Sequence, residues 1–163
     1  MTAAERPVYV NIYRAFPPGH SGMRALEDAA KSGPLDPVIR ELVKLRASQI
    51  NGCAYCIDMH HKDARAAGET EERLYMLPAW REAEVYTDAE RAALAMTEAI
   101  TLIADGHVPA DVEAAAQAQF DEATYAALVF VIVAINAWNR LAITSHSPAG
   151  VYQSQATVGR ASS

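Results

Sequence analysis

Cysteine is nearly missing from this chain of 163 residues, which holds two, Cys53 and Cys56. Two thiols so close together cannot form the framework of a secreted disulfide scaffold. Clusters of lysine and arginine are missing as well: 14 Lys and Arg stand against 20 Asp and Glu, for a formal net charge of −6. That balance excludes an electrostatic footprint for nucleic acid and gives no attraction to anionic membrane surfaces. The longest apolar run, near Ala126–Ile135, is broken by Asn136 and falls short of the ~20 residues that span a bilayer. The N-terminal stretch MTAAERPVYVNIYRAF has no apolar core behind basic residues and does not read as a secretory signal. There is no G-x-G-x-x-G, no P-loop, no low-complexity segment and no convincing internal repeat. The expectation is a cytoplasmic protein without a nucleic-acid or membrane partner, whose thiols are normally reduced and free to cycle.

What is present suits one domain with a sizeable core, since 51% hydrophobic and 21% charged residues is ordinary globular usage. Abundant alanine favours helices. Residues 1–22 carry Pro7, Pro17, Pro18, Gly19 and Gly22 and are expected to be irregular. They form an apolar arm that packs on its own domain or on a neighbouring subunit. Met23–Lys31 reads as a short helix stopped by Ser32-Gly33-Pro34. Asp36 as N-cap and Pro37 at the first position open a broad, mostly buried helix to about Ile50. Asn51-Gly52 breaks it, and the next helix runs from about Cys53 to Ala67, stopped by Gly68. Thr70–Leu77 reads as a short helix interrupted at Pro78, with a further turn over Ala79–Ala83. Thr87 and Glu90 form a capping box for a helix to about Ala104, and Pro109 opens another to about Gln119.

The last helix is expected over Asp121–Thr144. Its centre, LVFVIVAINAW, is rich in β-branched residues that favour strand locally. Over twenty residues pass there without a breaker, however, and strands rarely exceed about ten. A helix apolar on nearly every side is a central helix or a subunit interface. The tail, Ser145–Ser163, is expected to be loosely ordered or laid over a neighbour. The fold class is therefore all-α: a single domain over 1–163 of about seven helices. Its core spans about 23–145, between the arm of 1–22 and a flexible tail of 146–163.

The chemistry concentrates in Glu41–His61, ELVKLRASQINGCAYCIDMHH. Glu41 lies ten residues before Asn51 and His61 ten after it. At about 1.5 Å per residue, an antiparallel hairpin brings Glu41 level with His60 or His61. Cys56 and His60 are four apart and share a helix face. The order Glu41, His60, Cys56, Cys53 is a carboxylate orienting an imidazole beside a thiol, the arrangement that activates a nucleophile. Both cysteines fall in the first turn of a helix, where the positive end of the dipole favours thiolate. Residues three apart on a helix lie within disulfide reach, so one thiol can attack and the other resolve.

Other readings compete. Cys53, Cys56 and His60 supply three zinc ligands, with His61 or Glu41 as a fourth. Structural zinc usually takes a second Cys or His pair, and His107 and His146 carry no ligand spacing. Two buried, inert cysteines are the bland alternative. A thioredoxin-like fold would place Cys-x-x-Cys after a strand, whereas a helix precedes it here.

Glu-x(11)-Cys-x-x-Cys-x(3)-His, as Glu41, Cys53, Cys56 and His60, resembles the signature of the AhpD-like alkylhydroperoxidases of the carboxymuconolactone decarboxylase superfamily. The resemblance extends through LPAWRE (77–82), YTDAERAALAMTEAIT (86–101) and NAWNRLAI (136–143), about residues 35–145. It implies a helical fold assembled as trimers or hexamers, and thiol peroxidase chemistry without a cofactor or metal. By the same resemblance Cys56 is the peroxidatic thiol that attacks a hydroperoxide, and Cys53 resolves the sulfenic acid to a disulfide. An external dithiol, lipoyl-like in the family, restores the thiols. His60 and Glu41 would relay protons, with Tyr55 and His61 as supporting residues. The best-known branch has a second histidine where this chain has Tyr55, so the relay lacks one titratable member. The superfamily also contains decarboxylases that do not depend on a cysteine pair.

Overall fold

The computed structural model describes residues 9–154. Eight α-helices follow in order among them: α1 (Ile12–Ala15), α2 (Pro17–Ser32), α3 (Pro37–Asn51), α4 (Ala54–Ala66), α5 (Glu71–Met76), α6 (Asp88–Thr101), α7 (Ala110–Gln119) and α8 (Glu122–Thr144). Short 3-10 turns over Leu77–Ala79 and Ile103–Asp105 follow α5 and α6. No strand occurs among the described residues, so the all-α expectation is met, with one helix more than expected.

Local chemistry sets most of the boundaries. The Asp36 carboxylate accepts from the Val38 and Ile39 amides at 2.8 and 3.2 Å, and Pro37 needs no amide partner in that first turn. Gly52 ends α3 in the left-handed region at φ 68°, which glycine adopts without steric cost. Cys53 then caps α4, Thr70 caps α5, the Thr87–Glu90 box opens α6, and Asp121 caps α8.

The N-terminal expectation needs correcting. Residues 12–15 are helical, and α2 starts at Pro17 rather than Met23. Two prolines in a first turn break no helical hydrogen bond, because those amides have no intrahelical acceptor. Gly19 and Gly22 lower helix propensity without ending the helix. The arm packs on its own chain: Tyr9 stacks on His146 with ring centroids 3.7 Å apart.

The core lies where α3 packs on α4, α6 and α8, with α2 covering α8 and α7 covering α6. Val43, Ala93, Leu128, Val131 and Ile132 are fully buried in one cluster. Leu42, Leu45, Leu74, Leu77 and Leu94 are buried in a second, with Trp80 and Tyr86 at its edge. By length and apolar composition α8 alone is sufficient to cross a bilayer, at 23 residues and mean hydropathy 1.8. It buries Leu128, Val131, Ile132, Ala134 and Ile135 against other helices instead. Its two asparagines are matched from α3 and α6. Asn51 donates to Asn136 and Asn139 at 2.9 Å each, Asn139 donates to Ser48, and Asn136 donates to Thr101. These contacts fix the axial position of α8 against α3, and with it one wall of the site.

The tail was expected loose or over a neighbour. Its described part, residues 145–154, lies along α4 of the same chain. The Gly150 amide donates to Asp58 at 3.0 Å, Lys62 donates to the Tyr152 carbonyl at 3.0 Å, and Ser154 is buried. Residues 155–163 lie outside the described region.

Candidate active site

The α3–α4 hairpin turns at Gly52, and its two arms carry the predicted residues. Cys53 and Cys56 are joined as a disulfide, with Cα atoms 5.4 Å apart. The Cys53 sulfur also occupies the N-cap of α4, 3.4 Å from the Cys56 amide. Helix amides therefore point toward a sulfur, the environment that stabilises a thiolate once the pair is reduced. Cys53 is 1% and Cys56 2% exposed. Of the two, Cys56 lines a cleft and Cys53 is not part of its lining.

His60 sits one turn beyond Cys56, buried at 4% exposure. Its Nδ1 is 2.9 Å from Glu41 Oε2 on α3. An ionised carboxylate only accepts, so Nδ1–H donates, which fixes the tautomer and leaves Nε2 as the acceptor. That Nε2 is buried and has no hydrogen-bond partner among the described residues. A proton acceptor is thus held one turn from Cys56, on the wall of the same cleft. The hairpin level read from the sequence matches this contact.

Glu41 is held ionised. Burial alone would push its carboxyl up. The His60 hydrogen bond, with the charges of Lys44 and Arg40, outweighs burial and holds it below the usual carboxylate range. Lys44 is buried on the next turn of α3 and is paired with Glu27 of α2. Arg40 approaches Glu41 at 3.9 Å.

The cleft has a volume of about 620 Å³. Arm residues Tyr13 and Arg14 form one side, and Trp138 and Ile135 of α8 another. Tyr55 lines the cleft beside Cys56. His61 does not: its Nδ1 bonds the Ile57 carbonyl at 2.9 Å, and the ring is not part of the lining.

Among the other lining residues, Asp63 and Tyr152 bear directly on the relay and belong to no sequence motif. Asp63 is three residues beyond His60 and seven beyond Cys56, so helix register alone places it on the same face. Tyr152 comes from the tail, and its hydroxyl donates to both Asp63 oxygens at 2.9 and 3.0 Å. Glu41, His60 and Asp63 bring donor atoms within 4.8 Å of one another, close enough for a cation. The cysteines are not in that set, and both carboxylates already accept hydrogen bonds, from His60 and Tyr152.

Comparison with known proteins shows the family and the fold. Residues 20–99 match the profile of the carboxymuconolactone decarboxylase family. The uncharacterized protein YdfG of Bacillus subtilis is 45% identical over 134 residues, covering 82% of this chain and 91% of YdfG. A solved structure from Agrobacterium tumefaciens is a protein of unknown function, provisionally described as the antioxidant defence protein AhpD. It superposes with a TM-score of 0.84 at 38% identity, over 90% of this chain and 100% of that one. An uncharacterized peroxidase-related protein from Ralstonia eutropha, at 20% identity and TM-score 0.72, shares the fold over 86% of this chain and 75% of its own.

Proposed function

This chain belongs to the carboxymuconolactone decarboxylase family with an AhpD-like fold, and on that premise we propose that it is a thiol peroxidase reducing alkyl hydroperoxides. The carrying observation is the Glu41–His60 hydrogen bond placed one turn from Cys56, the cysteine that lines the cleft. His60 Nε2 takes the Cys56 thiol proton while Glu41 holds the imidazole. The thiolate attacks the O–O bond, so sulfur is oxidised to sulfenic acid, and the leaving alkoxide takes a proton and departs as alcohol. Cys53 then attacks that sulfur, and water leaves as the disulfide forms. An external dithiol of lipoyl type reduces the disulfide by two successive exchanges, itself ending as a disulfide.

Such a cycle belongs in a reducing compartment, and we place the protein in the cytoplasm. We also read it as a homo-oligomer, a trimer or hexamer. Phe130 is 57% and Val133 43% exposed on the outer face of α8, an apolar stripe suited to a second copy.

The test is peroxide-dependent oxidation of a dithiol by wild type, Cys53→Ser and Cys56→Ser. Wild type turns over, Cys53→Ser stalls at a trappable sulfenic acid, and Cys56→Ser is inactive. Full activity in Cys56→Ser would overturn the assignment of the attacking thiol.

A further inference from the structure

We propose that Tyr152 and Asp63 form a positioning pair that holds the Glu41–His60 relay in its working geometry, making the C-terminal segment part of the active site. The inference rests on the thiol-activation step of the reading above and adds two residues to it.

The segment is strapped along one side of α4. After α8 the chain reverses through His146, at φ 51°, and runs back over the helix. Gly150 is tied to Asp58, the Tyr152 carbonyl to Lys62, and the Tyr152 hydroxyl to Asp63. These anchors follow α4 on from Cys56. Tyr152 and Asp63 both line the cleft with Cys56 and His60.

Asp63 puts a second carboxylate beside an imidazole that needs one. An oxygen of Asp63 lies within 4.8 Å of the donor atoms of Glu41 and His60. Left loose, that carboxylate would compete with Glu41 for the Nδ1–H and repel Glu41 at short range. Tyr152 prevents this by donating to both Asp63 oxygens. The hydroxyl stays a donor: burial, the Asp63 hydrogen bond and the charges of Asp63 and Glu41 all push its pKa well above the usual tyrosine value. Glu41 therefore remains the sole partner of His60 Nδ1, and Nε2 keeps its lone pair for the Cys56 proton.

A tail that is only an anchor makes different predictions. The Gly150–Asp58 and Lys62–Tyr152 carbonyl contacts survive in Tyr152→Phe, which keeps the ring and loses the hydroxyl alone. The experiment uses full-length, reduced protein without peroxide. It measures the alkylation rate of Cys56 by iodoacetamide, and the ring nitrogen shifts of His60 by ¹⁵N NMR, which report the tautomer.

Tyr152→Phe should slow alkylation about tenfold, the worth of one charge-assisted hydrogen bond. Adding Asp63→Asn to it removes the competing charge and should recover most of that loss. The His60 shifts should move from one tautomer toward a mixture in Tyr152→Phe. Lys62→Ala, which loosens the strap and leaves the hydroxyl, should stay within about twofold of wild type. Tyr152→Phe within twofold of wild type, unmoved His60 shifts, or no recovery in the double variant would overturn the pair. None of these would touch the peroxidase reading. Absence of peroxide turnover in wild type would sink that reading and leave both measurements on Tyr152 standing.

Discussion

Glu41→Gln tests the relay with a minimal change. It exchanges one oxygen for an amide nitrogen at a contact of 2.9 Å and leaves the size of the side chain unchanged. The glutamine can act in two ways. If its oxygen faces His60, a charge-assisted hydrogen bond becomes a neutral one, a loss of about 1–2 kcal/mol. At about 1.4 kcal/mol per tenfold, that slows thiol activation roughly five- to thirtyfold. If its amide faces His60 Nδ1 instead, the imidazole is held in the opposite tautomer. Nε2 then carries a proton and cannot accept one from Cys56. The loss in that case approaches the full worth of a general base, about 10²–10⁴-fold.

The expected result is a loss of at least about fivefold in the rate of Cys56 oxidation by a hydroperoxide, and of about a hundredfold or more if the amide faces His60. The assay is stopped-flow tryptophan fluorescence on reduced protein, for which Trp138 in the cleft wall is the reporter. Stability gives an independent check. A carboxyl held below its unfolded value stabilises the fold above that value, about pH 4.3, and the contribution disappears as pH falls through the lower folded value. Acid unfolding of wild type should therefore include this step below about pH 4, and Glu41→Gln should lack it. A variant that reacts within about threefold of wild type would refute the claim that Glu41 sets the state of His60.

Three further substitutions probe the frame around the relay. Gly52→Val forces a β-branched residue to φ 68° at the hairpin turn, where nothing else crowds the site, and should cost about 1–2 kcal/mol in a denaturant melt. Glu98 accepts from Arg46 and the Trp80 indole at 2.8 Å each, and from Arg81. Glu98→Gln should cost about 1–3 kcal/mol while the folded protein keeps its thiol reactivity. Phe130→Glu places a charge in the exposed stripe of α8 and should lower the mass seen by light scattering to that of a single chain. An unchanged mass would remove that face from the interface.

How much of this was legible in the sequence depends on how far apart the partners lie along the chain. The relay is a near-neighbour problem. Asp36, Pro37 and Gly52 are strong local signals, and they fix two helices whose rise per residue dictates that Glu41 meets His60. Asp63 belonged to the same calculation, since its register on α4 places it on the face of His60. It belongs to no motif, and an aspartate on a helix face is ordinarily a solvated one. The start of α2 was misplaced for a different reason. Pro17 and Pro18 read as punctuation, although proline opens a helix as readily as it ends one, and only packing against α8 decides between them.

The cleft itself is another kind of object. Its walls come from the arm, from Trp138 and from the tail, and Tyr152 reaches Asp63 across 89 positions of sequence. A strap has no helical period and no cap, so nothing local marks it. Its contacts with α4 run through backbone groups of Gly150 and Tyr152, which any sequence would supply, and through a single hydroxyl, which only tyrosine at 152 would supply. That difference separates anchoring from positioning. If the tail serves only to cover α4, phenylalanine at 152 would do as well, and the hydroxyl would have no reason to meet a carboxylate beside the relay.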